Sequence, residues 1–300
     1  MIQFTKILCP IDFSDASTRA LTYAGALAKW HGAPLHVVHV VPAVDQGLVV
    51  AVDGGLVEPH RPASPDAVAL EIGRVMDAVG AIGVTPEVIT EAGRTHELIV
   101  QRARAHAADL IVMGTHGRSG FNRLLLGSVT EKVLRTAPCP VLTVPAAAPA
   151  MTAAAVAFTR ILCPIDFSPS ALAAFRYALT LARESNGQVT VIYALEYLDP
   201  EEPCDHVEFD IRRRRQHFID HARTRLHALV AGEDATWCDI QEEVAIGRAY
   251  KVVLQHAAAS PADLIVMGAQ GTTGVELMLY GSNTQHVVRG ATCPVLTVRS

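Results

Sequence analysis

Aromatic side chains are scarce in this 300-residue chain: 2 Trp, 6 Tyr and 8 Phe make up 5% of it. With 50% hydrophobic residues overall, its cores must be aliphatic, built from Val, Ile, Leu and Ala. No run of about 18 apolar residues occurs, so no membrane span is expected. Positive charge is not in excess either: 25 Lys and Arg against 30 Asp and Glu leave a net charge of -5. That balance excludes the basic footprint of a nucleic-acid binder. The opening residues Met1 to Lys6 carry one positive side chain and no apolar stretch, which reads as no secretory signal. The expectation is a soluble, cytoplasmic chain. Cysteines number 6, too few for a disulfide framework at this size. Cys9, Cys139, Cys163 and Cys293 sit inside apolar runs and read as small buried hydrophobes.

What is present, twice, is a glycine pattern. Gly114, Gly117, Gly127 and Ser128 read G-x2-G-x9-G-S, and Gly268, Gly271, Gly281 and Ser282 repeat it at an offset of 154. The repetition extends further. Ile7 to Ser14 recurs unchanged as Ile161 to Ser168, Asp109 to Gly114 as Asp263 to Gly268, and Cys139 to Val144 as Cys293 to Val298. Gly93-Arg94 likewise matches Gly247-Arg248. The chain is a tandem duplication with units at 1–145 and 158–300, joined by the Ala/Pro-rich segment Pro145 to Ala157.

Within each unit, short apolar runs alternate with helical patterns. Strands are predicted near 6–12, 35–41, 85–91, 109–114 and 140–144, and helices near 15–31, 66–82, 95–107 and 128–136. The second unit repeats the order, with strands near 160–166, 188–195, 238–244, 263–268 and 294–298. Ser14 is the expected N-cap of the first helix and Thr95 of the third. Pro42 to Pro65 reads as a loop. Near-continuous apolar strands suit a parallel sheet covered on both faces. The fold class is therefore α/β: two tandem doubly wound, Rossmann-like domains, each a five-stranded parallel sheet flanked by helices. Ligands are expected in the crevice at the C-terminal strand edge.

Strand, glycine loop and helix start together make an anion-binding device, because bare backbone N–H groups converge there. Gly127-Ser128 opens the helix at 128–136, whose dipole and Ser128 hydroxyl favour negative charge. Arg118 either adds charge to a phosphate or is a solvated loop arginine. A P-loop is excluded because no lysine follows either glycine loop, and the dinucleotide fingerprint because the first turn, after Cys9-Pro-Ile, has no glycine. The competing reading is a pair of tight-turn loops without a ligand. Asp12 and Asp166 end the first strand of each unit. Their carboxylates can accept bonds from ribose hydroxyls or an adenine edge, or can simply close an Asp-x-Ser turn.

Together these residues resemble the universal stress protein family in its tandem two-domain form, over both units. The G-x2-G-x9-G-S pattern is the mark of that family's ATP-binding branch. The resemblance implies that Asp12 sits at the adenosine moiety and the Val40 backbone near the adenine. Met113, Gly114, Gly117, Gly127, Ser128 and Val129 would line the ribose and phosphates. Asp166, Ala194, Met267, Gly268, Gly271, Gly281, Ser282 and Asn283 would do so in the second unit. The implied cofactor is ATP, or ADP or AMP, with Mg2+ as its accompanying ion. The implied role is a nucleotide-dependent stress-response switch with little or slow hydrolysis, at most a weak ATPase, read by a protein partner the sequence does not identify. The family further implies pairing through last strands, so 140–144 and 294–298 would join in an internal pseudo-dimer, with homo-oligomers of the whole chain also open. Two other classes stay open: an ATP-using hydrolase or nucleotidyl transferase on the related fold, and a ligand-free interaction scaffold.

The two copies differ. Arg118-Ser119 becomes Thr272-Thr273, Val129 becomes Asn283 and His116 becomes Gln270. These changes predict weaker phosphate binding in the second unit and argue against His116 as a catalytic base. His217 and His221 share a helical face near Cys204 and His206, but no further ligand pattern anchors them, and no metal site is assigned. Arg212 to Arg215 reads as a solvated helix face.

Overall fold

The protein is described by a computed structural model. It covers residues 3–42, 51–52, 55–56, 65–117, 126–149, 151, 158–196, 208–233, 238–271 and 281–299. The first half runs β1 (Ile7–Ile11), α1 (Asp15–His31), β2 (Leu35–Pro42), β3 (Ala51–Val52), β4 (Gly55–Leu56), α2 (Pro65–Gly80), β5 (Glu87–Gly93), α3 (Thr95–Ala105), β6 (Leu110–Gly114), α4 (Ser128–Thr136) and β7 (Val141–Val144). The second runs β8 (Arg160–Ile165), α5 (Pro169–Ser185), β9 (Gln188–Leu195), α6 (Glu208–Ala231), β10 (Asp239–Ile246), α7 (Ala249–Ala259), β11 (Leu264–Gly268), α8 (Ser282–Gly290) and β12 (Val295–Val298).

The main sheet has ten strands in the order β10-β9-β8-β11-β12-β7-β6-β1-β2-β5. Each half is parallel throughout. At the centre, β7 pairs antiparallel with β12, with Leu142 opposite Leu296. Across this seam the Thr143 hydroxyl donates to the Val295 carbonyl at 3.2 Å, and Thr297 to Val141 at 3.1 Å. One apolar layer joins α1, α2 and α5 to the sheet, with Leu21, Leu27, Val79 and Phe175. The other joins α3, α4, α7 and α8, with Ile99, Val133, Val253 and Val287. Both layers run across the two halves, as alternation along buried strands requires: Ile7 and Cys9 face one, Leu8 the other.

The strand order places a topological switch point between β1 and β6, and its equivalent between β8 and β11. Pro10 helps to open it. Ile7 N–H donates toward the β2 side, to the Pro34 carbonyl at 3.1 Å, so alternation turns residues 8 and 10 toward β6. Proline has no N–H to give. The β1–β6 ladder accordingly holds only Ile7–Leu110 and Leu8–Ile111, and beyond it the strands part. Pro164 stands in the same place, and the β8–β11 ladder also stops after two pairs.

Two expectations are corrected. Thr95 is the first residue of α3 rather than its cap; the N-cap is Arg94, which makes no side-chain capping bond. The Pro42–Pro65 loop contains a two-residue antiparallel ladder, Ala51–Leu56 and Val52–Gly55. The start of the joining segment is docked: Ala148 is buried, and the Tyr23 hydroxyl donates to the Pro149 carbonyl at 3.1 Å. Among the described residues no helix is long and apolar enough to cross a membrane.

Candidate functional site

The crevice above β1 and β6 is built from three turns. After β1 the chain reverses through Phe13, a non-glycine residue in the left-handed region at φ 62°, matched by Phe167 at φ 63°. Such a conformation costs about 1–2 kcal/mol and persists only where the surroundings hold it. Here the turn lets one serine serve two ends. The Ser14 Oγ accepts from the Ser17 N–H at 3.2 Å, capping α1, and donates to Asp12 Oδ1 at 2.6 Å. The Ser14 N–H adds a second bond to that oxygen, at 3.1 Å. In the second half, Ser168 N–H donates to Asp166 Oδ1 at 2.9 Å and its Oγ caps α5 through Ala171 N–H.

Each glycine of the pattern has its own steric reason. A Cβ on Gly114 would lie 2.8 Å from the Ala16 carbonyl carbon and 2.9 Å from its Cβ. Gly114 therefore lets α1 lie flat on β6. A Cβ on Gly117 would lie 2.5 Å from Asp12 Oδ2, so this glycine lets the loop approach the carboxylate. Gly268 and Gly271 repeat the two relationships, against Ser170–Ala171 and against Asp166 at 2.9 Å. Gly127 N–H closes the loop by donating to the Thr115 carbonyl at 2.9 Å, while the Thr130 hydroxyl donates to the Gly114 carbonyl at 2.9 Å. The same bonds recur at Gly281 and Thr284, each at 3.0 Å.

These bonds aim the start of α4 at the crevice. Its first intrahelical bond runs from Glu131 N–H to the Gly127 carbonyl at 2.9 Å. The N–H groups of Ser128, Val129 and Thr130 precede it and have no carbonyl a turn earlier. Gly127 brings no side chain to cap them, whereas serine caps α1. Gly281 leaves α8 equally uncapped. An uncapped, glycine-led helix start beside an exposed Ser128 suits an anion.

Asp12 thus follows β1, Met113 and Gly114 end β6, Gly117 lies in the loop after it, and Gly127, Ser128 and Val129 lead into α4; Val40 is buried near the end of β2. Asp166, Ala194, Met267, Gly268, Gly271, Gly281, Ser282 and Asn283 occupy the equivalent places. Arg118, Thr272 and Thr273 lie outside the described residues, as do Cys204 and His206.

Three groups at the crevice escape the glycine pattern. His39 is buried, its ring 4.5 Å from that of Phe13, and its Nδ1 lies 3.0 Å from the Ile11 carbonyl. A carbonyl only accepts, so Nδ1 carries the proton of this bond. Tyr193 takes this place in the second half, packed 5.2 Å from Phe167. His116 Nδ1 lies 2.9 Å from Thr115 Oγ1, and its buried Nε2 makes no hydrogen bond among the described residues. Glu196 distinguishes the second crevice. Its Oε1 accepts from Ala249 N–H at 2.7 Å and from Asn283 Nδ2 at 3.3 Å, which sets a carboxylate beside the start of α8. Pro42 stands at that position in the first half, where the carboxylate closest in sequence to the helix start is Glu131, in the first turn of α4.

The four repeat-paired cysteines are buried away from this chemistry. Cys9, Cys139, Cys163 and Cys293 are buried free thiols, and burial pushes Cys139 up to about 12 and Cys293 up to about 11.

Comparison with known proteins gives a consistent result. The model of the Universal stress protein family matches residues 3–145 and again 157–299. A universal stress protein of Mycolicibacterium smegmatis is 27% identical over 98% of this chain and 96% of its own length. One from Thermus aquaticus is 38% identical over 47% of this chain and 98% of its own. Among solved structures, a universal stress protein from Archaeoglobus fulgidus superposes over 99% of this chain and 97% of its own, with a TM-score of 0.68 and 23% identity.

Proposed function

Since the chain belongs to the universal stress protein family, matching it once in each half, we propose that it binds adenine nucleotide, ATP in the first instance, at the switch-point crevices and acts as a nucleotide-dependent switch. The observation that carries this reading is the pairing of Gly117 with Asp12. A loop glycine at Gly117, whose Cβ would lie 2.5 Å from the carboxylate that the N–H and hydroxyl of Ser14 hold in place, lets the loop close on that carboxylate with no side chain between them. On this reading the acceptor after β1 and the uncapped start of α4 serve one ligand between them. An acceptor suits ribose hydroxyls, and an uncapped helix start suits phosphates. Met113 and Val40 supply apolar wall for a base. Mg2+, if it accompanies ATP, would ride on the phosphates; the reading assigns it no side chain.

The first crevice fills before the second. Glu196 adds negative charge beside α8 and engages Asn283 there, while Arg118 has no counterpart in the second loop. Glu131 in α4 offsets part of this difference; Gln285 replaces it in α8. Turnover is slow or absent, and the bound nucleotide acts through partners that distinguish filled from empty protein. Calorimetric titration of nucleotide-free protein with ATP tests the reading: two unequal steps are expected, and the absence of heat with no thermal shift would exclude it.

A further inference from the structure

The opposite end of the first half-sheet, where its strands begin, holds a cluster unrelated to the crevice. His36 is the second residue of β2 and Glu87 the first of β5, and the parallel register sets them side by side. His106 joins them as the C-cap of α3. The two imidazole rings lie 4.3 Å apart at 38°. His36 Nδ1 is 3.1 Å from Glu87 Oε2, and one ligand atom from each of the three residues lies within 4.8 Å of the other two. This is the one such trio among the described residues.

Two features argue for more than an ion pair. His36 Nδ1 is buried and makes no well-aligned hydrogen bond among the described residues despite the oxygen at 3.1 Å, so the carboxylate lies off the ring N–H line. Two ligands of one tetrahedral ion, each about 2.0–2.1 Å from it, stand roughly 3.3 Å apart with lone pairs converging on the ion rather than on each other. The His36–Glu87 separation already matches that spacing, and the exposed Glu87 side chain can adjust. Burial, and next the neighbouring His106, hold His36 below its ordinary value; Lys6 acts in the same sense and the Glu87 carboxylate in the opposite one.

The second half supplies an internal control. The residues at the same offset are Thr190, Gln241 and Ser260, which carry neither imidazole nor carboxylate; the cavity of about 100 Å³ that they share holds a single histidine, His256, contributed by α7.

We propose that His36, Glu87 and His106 bind one divalent transition-metal ion of the zinc type, with water at the fourth position. Two imidazoles and a carboxylate suit such an ion. Bound there, it ties the edge strand β5 and the end of α3 to β2. The site is independent of the nucleotide reading.

The test is competition between tag-free, EDTA-treated full-length protein and a chromophoric chelator for zinc, read together with thermal melting. One ion per chain is expected, with a higher melting temperature in zinc. Glu87→Gln should weaken binding more than tenfold, and His36→Gln and His106→Gln should abolish both signals, while His217→Gln/His221→Gln leaves them unchanged. Glu87 is exposed, so its variant keeps the test decisive should a histidine variant fail to fold. No ion retained at micromolar free zinc would overturn the proposal. So would an ion count that survives Glu87→Gln and His106→Gln, or falls only when His217 and His221 are replaced.

Discussion

Alanine at Gly117 and alanine at Gly114 should damage different properties, although both belong to one glycine pattern. At Gly117 the new Cβ would sit 2.5 Å from Asp12 Oδ2, about an ångström inside normal contact. The carboxylate cannot simply swing aside, because Ser14 holds its other oxygen through bonds of 2.6 and 3.1 Å. Either those charge-assisted bonds break or the loop lifts, and in both cases the acceptor and the helix start lose their spacing. Losing one hydrogen bond to a charged group costs about 1.5–3 kcal/mol, which corresponds to roughly 10- to 150-fold in Kd at the first crevice. The loop is exposed at this point, so it should lift and leave the Asp12–Ser14 bonds intact; the bond lost is then the ligand's, and folding should change by less than about 0.5 kcal/mol. At Gly114 the Cβ would meet buried α1 backbone at 2.8–3.0 Å. Overpacking of this kind costs about 1–3 kcal/mol, or a fall in Tm of about 2–10 °C. Calorimetry with ATP and scanning calorimetry of both variants separate the cases. A Gly117→Ala protein that keeps its tight ATP step, or melts as low as Gly114→Ala, would refute the reasoning.

Further outcomes follow from the same geometry. Glu196→Gln keeps the acceptor that caps α7 but removes its charge, so the weaker ATP step in calorimetry should tighten by up to about fivefold, the worth of a half-screened charge; the tight step should not move. Thr143→Val/Thr297→Val removes the two hydroxyl bonds across the β7–β12 seam, and denaturant unfolding should show a loss of about 1–3 kcal/mol. Burial holds the His31 imidazole below its ordinary value, with the Asp109 charge a smaller opposing influence. The unfolded chain therefore binds a proton first as pH falls below about 6.5, so this contribution to stability is complete above that pH and is lost toward acid. His31→Gln should flatten the decline in unfolding free energy between pH 7.5 and 5.5, and an unchanged slope would count against the burial argument. Glu184, 4.0 Å away and pushed up by burial, acts in the opposite sense at lower pH.

Much of this architecture is legible because it is written twice. The duplicated strand and glycine motifs locate β1, β6, β7 and their partners within a residue or two, and Ser14 caps α1 as its Asp-x-Ser context predicts. Thr95 misled because threonine is a good cap only where the backbone of that residue is extended, and here Arg94 takes the extended position. Strand β5 starts and ends two residues later than its apolar pattern suggests, since register with β2 rather than local hydrophobicity sets its length. The partners of the crevice were harder to read. His39 and Glu196 lie in no motif and reach the site only through the β1–β2 register and a contact with α8. His36, Glu87 and His106 are separated by 51 and 19 residues and have no counterpart in the second unit, so a search for repeats passes over them.

Native mass spectrometry of the protein as purified, with chromatography of the ligand released by heating, tests the central claim most directly. The account predicts a mass increment matching adenine nucleotide on the intact chain, with singly occupied protein in excess of doubly occupied and the increment lost in Gly117→Ala. A chain of bare mass that also gives no heat when titrated with ATP would contradict it.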